Sequence, residues 1–194
     1  DTVIVIGLGV IGNFAAQLAK MAGASQVIGV DLYPLRLKKA ESVGVDYALS
    51  ADLKDLHERI DELTNGKGAD IIIDASGSPK TFDSSFRWAA YMGRIVVLGW
   101  ITRGVENLFL GDYFHFKQLE IISSQVRYQY PGDLNHVFRW TEQENYDYIF
   151  ALIKEGRLRT KELITHRFRL KDVKRCFEVL DRQPQETLGI LFRP

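Results

Sequence analysis

Val3-Ile4-Val5-Ile6-Gly7-Leu8-Gly9-Val10-Ile11-Gly12 is the stretch that decides the fold. Branched apolar residues without a polar break, as at positions 3–6, are the pattern of a strand buried on both faces of a parallel sheet. A G-x-G-x-x-G turn follows directly. The period then becomes helical, with Phe14, Ala15, Leu18, Ala19 and Ala22 on one stripe and Gly23 suited to the helix end. A second apolar run, residues 26–30, ends in Asp31, 19 positions beyond Gly12. Strand, glycine turn, helix, strand and acid in this order are the fingerprint of a dinucleotide-binding βαβ unit.

Each part has a physical task. Gly7 permits the tight turn, Gly9 lets backbone approach a pyrophosphate with no Cβ in the way, and Gly12 allows helix and strand to pack closely. The N-terminus of the helix that follows offers unpaired N–H groups and a partial positive charge to phosphates, and Val10 and Ile11 within the turn are expected to border the cofactor with the three glycines. The Asp31 carboxylate can accept two hydrogen bonds from an adenosine ribose diol, and a 2′-phosphate placed there would meet like charge. NAD is therefore expected rather than NADP. Arg36 has three readings: a helix-start cation reaching the ribose or adenine, a holder of a phosphate, or a solvated residue beside Lys38 and Lys39.

The rest of the chain fits a globular α/β protein. With 194 residues, 46% of them hydrophobic, it can bury a full core. The formal charge is zero, from 25 basic and 25 acidic residues, so no general attraction to nucleic acid or an anionic membrane is expected. No apolar stretch reaches membrane-spanning length, and no secretory leader pattern is visible. A single cysteine, Cys176, excludes an internal disulfide framework and suits a reducing, cytoplasmic setting. On a helix beside Phe177, Cys176 reads as a small buried hydrophobe.

Alternation continues to the end. Helices are expected at residues 34–44, 53–63 and 79–91, and strands at 47–49, 71–75, 93–99 and 119–122. Strands separated by helical crossovers imply a doubly wound, six-stranded parallel sheet with right-handed connections. Thr141-Glu142-Gln143-Glu144 is a capping box opening a connector helix that runs to Gly156. Tyr130-Pro131-Gly132 precedes this connector.

Taken together, Gly7-Leu8-Gly9-Val10-Ile11-Gly12, Gln17-Leu18-Ala19-Lys20, Gly66-Lys67-Gly68-Ala69-Asp70, Ala75-Ser76-Gly77-Ser78-Pro79 and Gly93-Arg94-Ile95-Val96 resemble the zinc-type medium-chain dehydrogenase/reductase family. The tail, Leu163-Ile164-Thr165-His166-Arg167-Phe168 and then Cys176-Phe177-Glu178-Val179-Leu180, is similar to its closing segment. The resemblance covers the family's second half. It implies a Rossmann domain over residues 1–160 and a segment, 161–194, that in the family returns to the catalytic domain.

It also implies what this chain lacks. In the family an N-terminal barrel-like domain supplies the zinc ligands, usually a Cys, a His and an acid, so zinc is expected only in that domain. Catalytic zinc needs three protein ligands, and His57, His115, His136 and His166 are dispersed without ligand spacing. No metal, no catalytic residue and no hydride transfer are expected of this chain alone. The cofactor face is carried over by resemblance. Ala75, Ser76 and Gly77 line the adenosine and nicotinamide-ribose side, and Leu98, Gly99 and Trp100 meet the carboxamide. Ser123 and Ser124 follow the sixth strand, where many relatives have Gly-Ser. Gly189 stands where relatives tend to put a cation, which would weaken cofactor binding. The aromatic segment at residues 100–116, including Phe109, is expected to form a homodimer through the sheet edge. Leu163, Ile164, Phe168, Phe177, Leu180 and Leu191 are expected to lack their usual partner.

The function implied is the cofactor-binding half of an NAD-dependent alcohol or polyol dehydrogenase, moving hydride between a primary or secondary alcohol and NAD. Two alternatives stand beside it. One is a stand-alone dinucleotide-binding or sensing module; the other is a zinc-independent NADPH reductase of the same superfamily, against which Asp31 argues.

Overall fold

The apolar run near the start of the chain is the middle of the molecule. In the computed structural model, which describes residues 1–105, 108, 110–124 and 141–194, β1 (Thr2–Ile6) lies between β2 (Gln26–Asp31) and β4 (Ala69–Asp74). β3 (Tyr47–Ser50), β5 (Ala89–Val97) and β6 (Glu120–Ser123) complete a six-stranded parallel sheet of order β3-β2-β1-β4-β5-β6. The doubly wound α/β topology expected from the sequence is present. Phe109, His136 and the Tyr130-Pro131-Gly132 stretch lie outside the described residues.

Register aligns the strand ends. Ile6 stands opposite both Val30 and Asp74, Asp74 opposite Val97, and Val97 opposite Ser123. Chain order reverses beside β1, with β2 and β3 on one side and β4 to β6 on the other. At the carboxyl ends this switch opens a crevice between β1 and β4, where open parallel sheets bind ligands.

Helices α1 (Val10–Met21), α2 (Pro34–Ser42), α3 (Leu56–Leu63) and α4 (Pro79–Trp88) cover the two faces. Alternate residues of β1 enter opposite cores. Ile4 and Ile6 pack with Ile28, Ile60, Ile72, Phe86 and Ile95, while Val3 and Val5 pack with Leu8, Ala16, Val27 and Ala40.

Several element boundaries and one helix face differ from expectation. The buried face of α1 is Gly12, Asn13, Ala16 and Gln17, whereas Phe14, Ala15, Leu18 and Ala19 are only half-buried and Ala22 is exposed. The polar pair faces inward because main-chain groups pair with both side chains there: Asn13 Nδ2 donates to the carbonyls of Leu8 and Gly9, and Gln17 exchanges two hydrogen bonds with Arg159. Helix α3 starts at Leu56 instead of residue 53. Helix α4 ends at Trp88, three residues short of the expectation, because Ala89 is buried and already extended at the start of β5.

Beyond the sheet, α5 (Glu142–Lys154) carries the expected capping box: Glu144 N donates to Thr141 Oγ1 at 3.2 Å and Thr141 N donates to Glu144 Oε2 at 2.8 Å. β7 (Ile164–Arg169) and β8 (Gly189–Arg193) form a separate parallel pair, linked through α6 (Val173–Arg182). The fate of the tail's apolar residues is divided. Leu163 and Cys176 are buried, Ile164 and Phe168 half-buried, and Phe177, Leu180 and Leu191 exposed. Arg159 ties this region to the sheet layer, since its guanidinium donates to the Ser42 carbonyl at the end of α2.

Trp88 Nε1 donates to His57 Nδ1 at 2.7 Å, and burial, reinforced by Arg87, holds this imidazole below its ordinary range against Glu58 and Asp61. His115 is exposed in a single wide turn, and His166 Nδ1 lies 3.0 Å from Thr165 Oγ1. No helix among the described residues is long and apolar enough to cross a membrane.

Candidate functional site

The glycine turn is anchored at its first residue. Gly7 N donates to Val30 O and Ala75 N to Ile6 O, each at 2.8 Å, so β1 ends in register with both neighbours. Gly12 then packs against the turn so closely that a Cβ there would sit 1.8 Å from the Gly7 carbonyl oxygen. Gly9 is the opposite case: it is the N-cap of α1, and a Cβ on it would meet nothing within 4 Å. Val10 is half-buried and Ile11 exposed over this opening. The result is a helix N-terminus facing free space, the arrangement that receives anions.

Asp31 closes the β2 end of the shelf. It is only 5% exposed, its Oδ2 accepts from Leu8 N at 2.7 Å, and its Oδ1 accepts from Tyr33 N at 2.9 Å. One carboxylate thus holds the glycine turn and the start of α2 together. Arg36 is not a solvated residue. Its Nη1 lies 3.6 Å from Asp31 Oδ2, its Cζ stands 4.6 Å from the Tyr33 ring centroid, and its Nε is buried with no acceptor among the described residues.

Across the crevice, the turns after β4 and β5 touch through their backbones. A Cβ on Gly99 would meet Gly77 N at 2.4 Å, and one on Gly77 would meet the Trp100 carbonyl oxygen at 2.8 Å. Leu98 N and Gly99 N both donate to the Asp74 carbonyl, at 2.9 and 2.7 Å. The Asp74 side chain, 1% exposed, accepts from Ser76 N at 2.9 Å and Ser76 Oγ at 2.6 Å, and more weakly from Thr81 Oγ1 at 3.3 Å. Trp100 is 74% exposed. Ser124 N donates to Val97 O at 2.9 Å, which sets it at the same edge.

Sheet register therefore brings Gly7, Gly9, Val10, Ile11, Gly12, Asp31, Arg36, Ala75, Ser76, Gly77, Leu98, Gly99, Trp100 and Ser124 to one edge. Gly189 is elsewhere, in β8, and a Cβ on it would lie 2.7 Å from the Leu163 carbonyl oxygen, so a cation is sterically excluded at this position. Two residues of this site escaped sequence reasoning. Asp74 was legible only as the end of a strand, although an Asp two residues before a Ser is a turn-forming signal. Asn13 was hidden by the apolar stripe beside it. A cavity of about 400 Å³ lies apart from this edge, between β7 and α6, where His166, Phe168, Arg175, Glu178 and Arg182 line it.

A helix N-terminus open over Gly9, the buried carboxylate at the second strand end and a backbone-walled crevice lie along one edge of the sheet. The sequence profile of the zinc-binding dehydrogenases matches residues 10–149. The chain belongs to the zinc-binding dehydrogenase family.

Among dehydrogenase relatives, it is 32% identical to D-guloside 3-dehydrogenase of Escherichia coli K12 over 195 aligned residues, 99% of this chain and 55% of that one. It is 28% identical to sorbitol dehydrogenase of Halalkalibacterium halodurans, covering 100% of this chain and 52% of that one. A solved alcohol dehydrogenase from E. coli CFT073, in complex with NADH, superposes with a TM-score of 0.81 at 26% identity over 100% of this chain and 52% of its own. The chain spans about half the length of the curated relatives it matches. Among the described residues, the zinc of the family's description finds no fitting ligand set. Among the described residues no three His, Cys, Asp or Glu side chains are grouped to hold a metal ion, and Cys176 is buried in α6.

Proposed function

We propose that this chain is the cofactor half of an NAD-dependent, zinc-type alcohol or polyol dehydrogenase that moves hydride between a primary or secondary alcohol and NAD. The observation that carries the reading is the buried Asp31 carboxylate beside the open space over Gly9. The N–H groups of Gly9, Val10 and Ile11 would take the pyrophosphate, and Asp31 with Arg36 the adenosine ribose. Ala75 to Gly77, Leu98 to Trp100 and Ser124 would border the nicotinamide side. When bound, NAD supplies the hydride acceptor. Zinc and most substrate contacts are assigned to a part of the protein outside this chain, so the chain by itself binds cofactor without oxidising alcohol. A reducing, cytoplasmic setting belongs to the same proposal and rests on the single cysteine.

Calorimetric titration of the chain with NAD and NADP tests it. NAD should bind at least about tenfold tighter, because a 2′-phosphate would have to displace or oppose the Asp31 carboxylate. Equal or tighter binding of NADP would overturn the assignment of Asp31.

The homodimer is part of the proposal as well. Segment 100–116 divides: Ile101, Val105, Leu108 and Phe114 pack onto the core, while Trp100, Leu110, Tyr113 and Phe116 are exposed. Tyr91, Met92, Ile121 and Ile122 extend this apolar surface along β5 and the edge strand β6. An unpaired apolar edge favours pairing with a second copy. Light scattering at micromolar concentration should give twice the 22.1 kDa chain mass. A monomer mass removes the dimer.

A further inference from the structure

Asn13 is completely buried under the glycine turn. Its Nδ2 donates to the Leu8 carbonyl at 2.5 Å and to the Gly9 carbonyl at 3.1 Å. Turning the amide over would set Oδ1 against both carbonyl oxygens, so the chemistry of its neighbours fixes the orientation. Oδ1 is then a buried acceptor with no donor among the described residues. Leaving a buried acceptor of this kind unpaired is costly.

The compensation lies in what the two donated bonds aim. In a trans peptide the N–H points opposite to the carbonyl of the preceding residue. Pinning the Leu8 carbonyl therefore directs the Gly9 N–H away from Asn13, and the Gly9 carbonyl, held by both Asn13 N at 2.9 Å and Asn13 Nδ2, does the same for Val10. From the other side, Leu8 N is held by Asp31 Oδ2 at 2.7 Å, and the Leu8 side chain is buried. Neither the Gly9 N–H nor the Val10 N–H donates to any group among the described residues, and the space over Gly9 is open.

The geometry points to Asn13 as a positioning residue whose amide clamps the Leu8 and Gly9 carbonyls, presetting the Gly9 and Val10 N–H groups toward a pyrophosphate. This rests on the dinucleotide reading above and goes beyond it, since the G-x-G-x-x-G pattern leaves the residue after the third glycine unspecified. Donors set before binding need no reorganisation when the ligand arrives.

The test is the full chain and its Asn13→Leu variant, titrated with NADH, ADP-ribose and adenosine. Leucine keeps the shape and removes both donors. NADH and ADP-ribose should bind about tenfold more weakly, as expected for loss of a buried hydrogen-bonded clamp. Adenosine, which has no pyrophosphate, should bind within about twofold of the unaltered chain. Thermal stability should change little, because the orphaned Oδ1 disappears while the Leu8 carbonyl loses its partner. If Asn13→Leu does not fold, Asn13→Ser replaces it: a serine hydroxyl can still reach the Gly9 carbonyl four residues back, so its loss should be smaller but in the same ligands. Equal affinity of variant and unaltered chain for all three ligands overturns the positioning role, as does an equal loss for all three. Failure of the unaltered chain to bind NADH at all overturns the dinucleotide reading and this inference with it.

Discussion

Replacing Gly12 by alanine is expected to cost this protein most of its stability, whereas the same change at Gly9 leaves it folded and removes the cofactor. At Gly12 the new methyl would lie 1.8 Å from the Gly7 carbonyl oxygen and 2.9 Å from its carbon. Both are backbone atoms at the end of β1, where Gly7 N is bonded to Val30 O, so nothing flexible is present to yield. Overpacking against rigid backbone should destabilise by about 3 kcal/mol or more, a large share of a domain's marginal stability. At Gly9 the dihedrals, φ −60° and ψ −174°, suit alanine, and the methyl would touch nothing. Stability should stay within about 0.5 kcal/mol of the parent. The methyl would nevertheless occupy the space in front of the α1 N-terminus, where a pyrophosphate must approach the backbone. Urea unfolding followed by circular dichroism, paired with NADH titration, separates the two. Comparable stability of the two variants would falsify this division of labour.

Asp31→Ala is expected to weaken NAD binding by about a hundredfold, the loss of two charge-assisted hydrogen bonds to a ribose diol. The variant also leaves Leu8 N without its 2.7 Å acceptor and Tyr33 N without its 2.9 Å one. The turn should loosen, with a further cost of roughly 1–3 kcal/mol in unfolding free energy. Arg36 loses the carboxylate 3.6 Å away and keeps its place over Tyr33, where a guanidinium can take a phosphate instead. The preference should therefore move toward NADP. Dissociation constants for both cofactors decide it: NAD affinity within about threefold of the parent would remove Asp31 from the ribose site.

Much of this was legible in the chain. The run at residues 3–6, the glycine spacing and Asp31 placed the first βαβ unit, and the pattern of strands and crossovers gave the sheet. Local signals were enough there because side-chain period and glycine positions act over a few residues. They misled on α1, where the apolar stripe is only half-buried and the polar residues Asn13 and Gln17 turn inward. They also ran α4 into β5, since nothing in 79–91 signals a helix stop except the tertiary need to pair Ala89 with Ala69. His57 offered no hint that it accepts a hydrogen bond from Trp88, which is 31 positions away.

By itself, then, the sequence determined the order of elements, the glycine turn and the acid that follows it, because those depend on backbone conformation and near neighbours. The tertiary structure alone decided that Asp31 holds the turn by Leu8 N, and that Gly77 and Gly99 meet backbone to backbone. It also decided that Gln17 joins α1 to Arg159 across 142 positions. Those contacts are set by which strands lie side by side and in what register, and no local period in a chain encodes that.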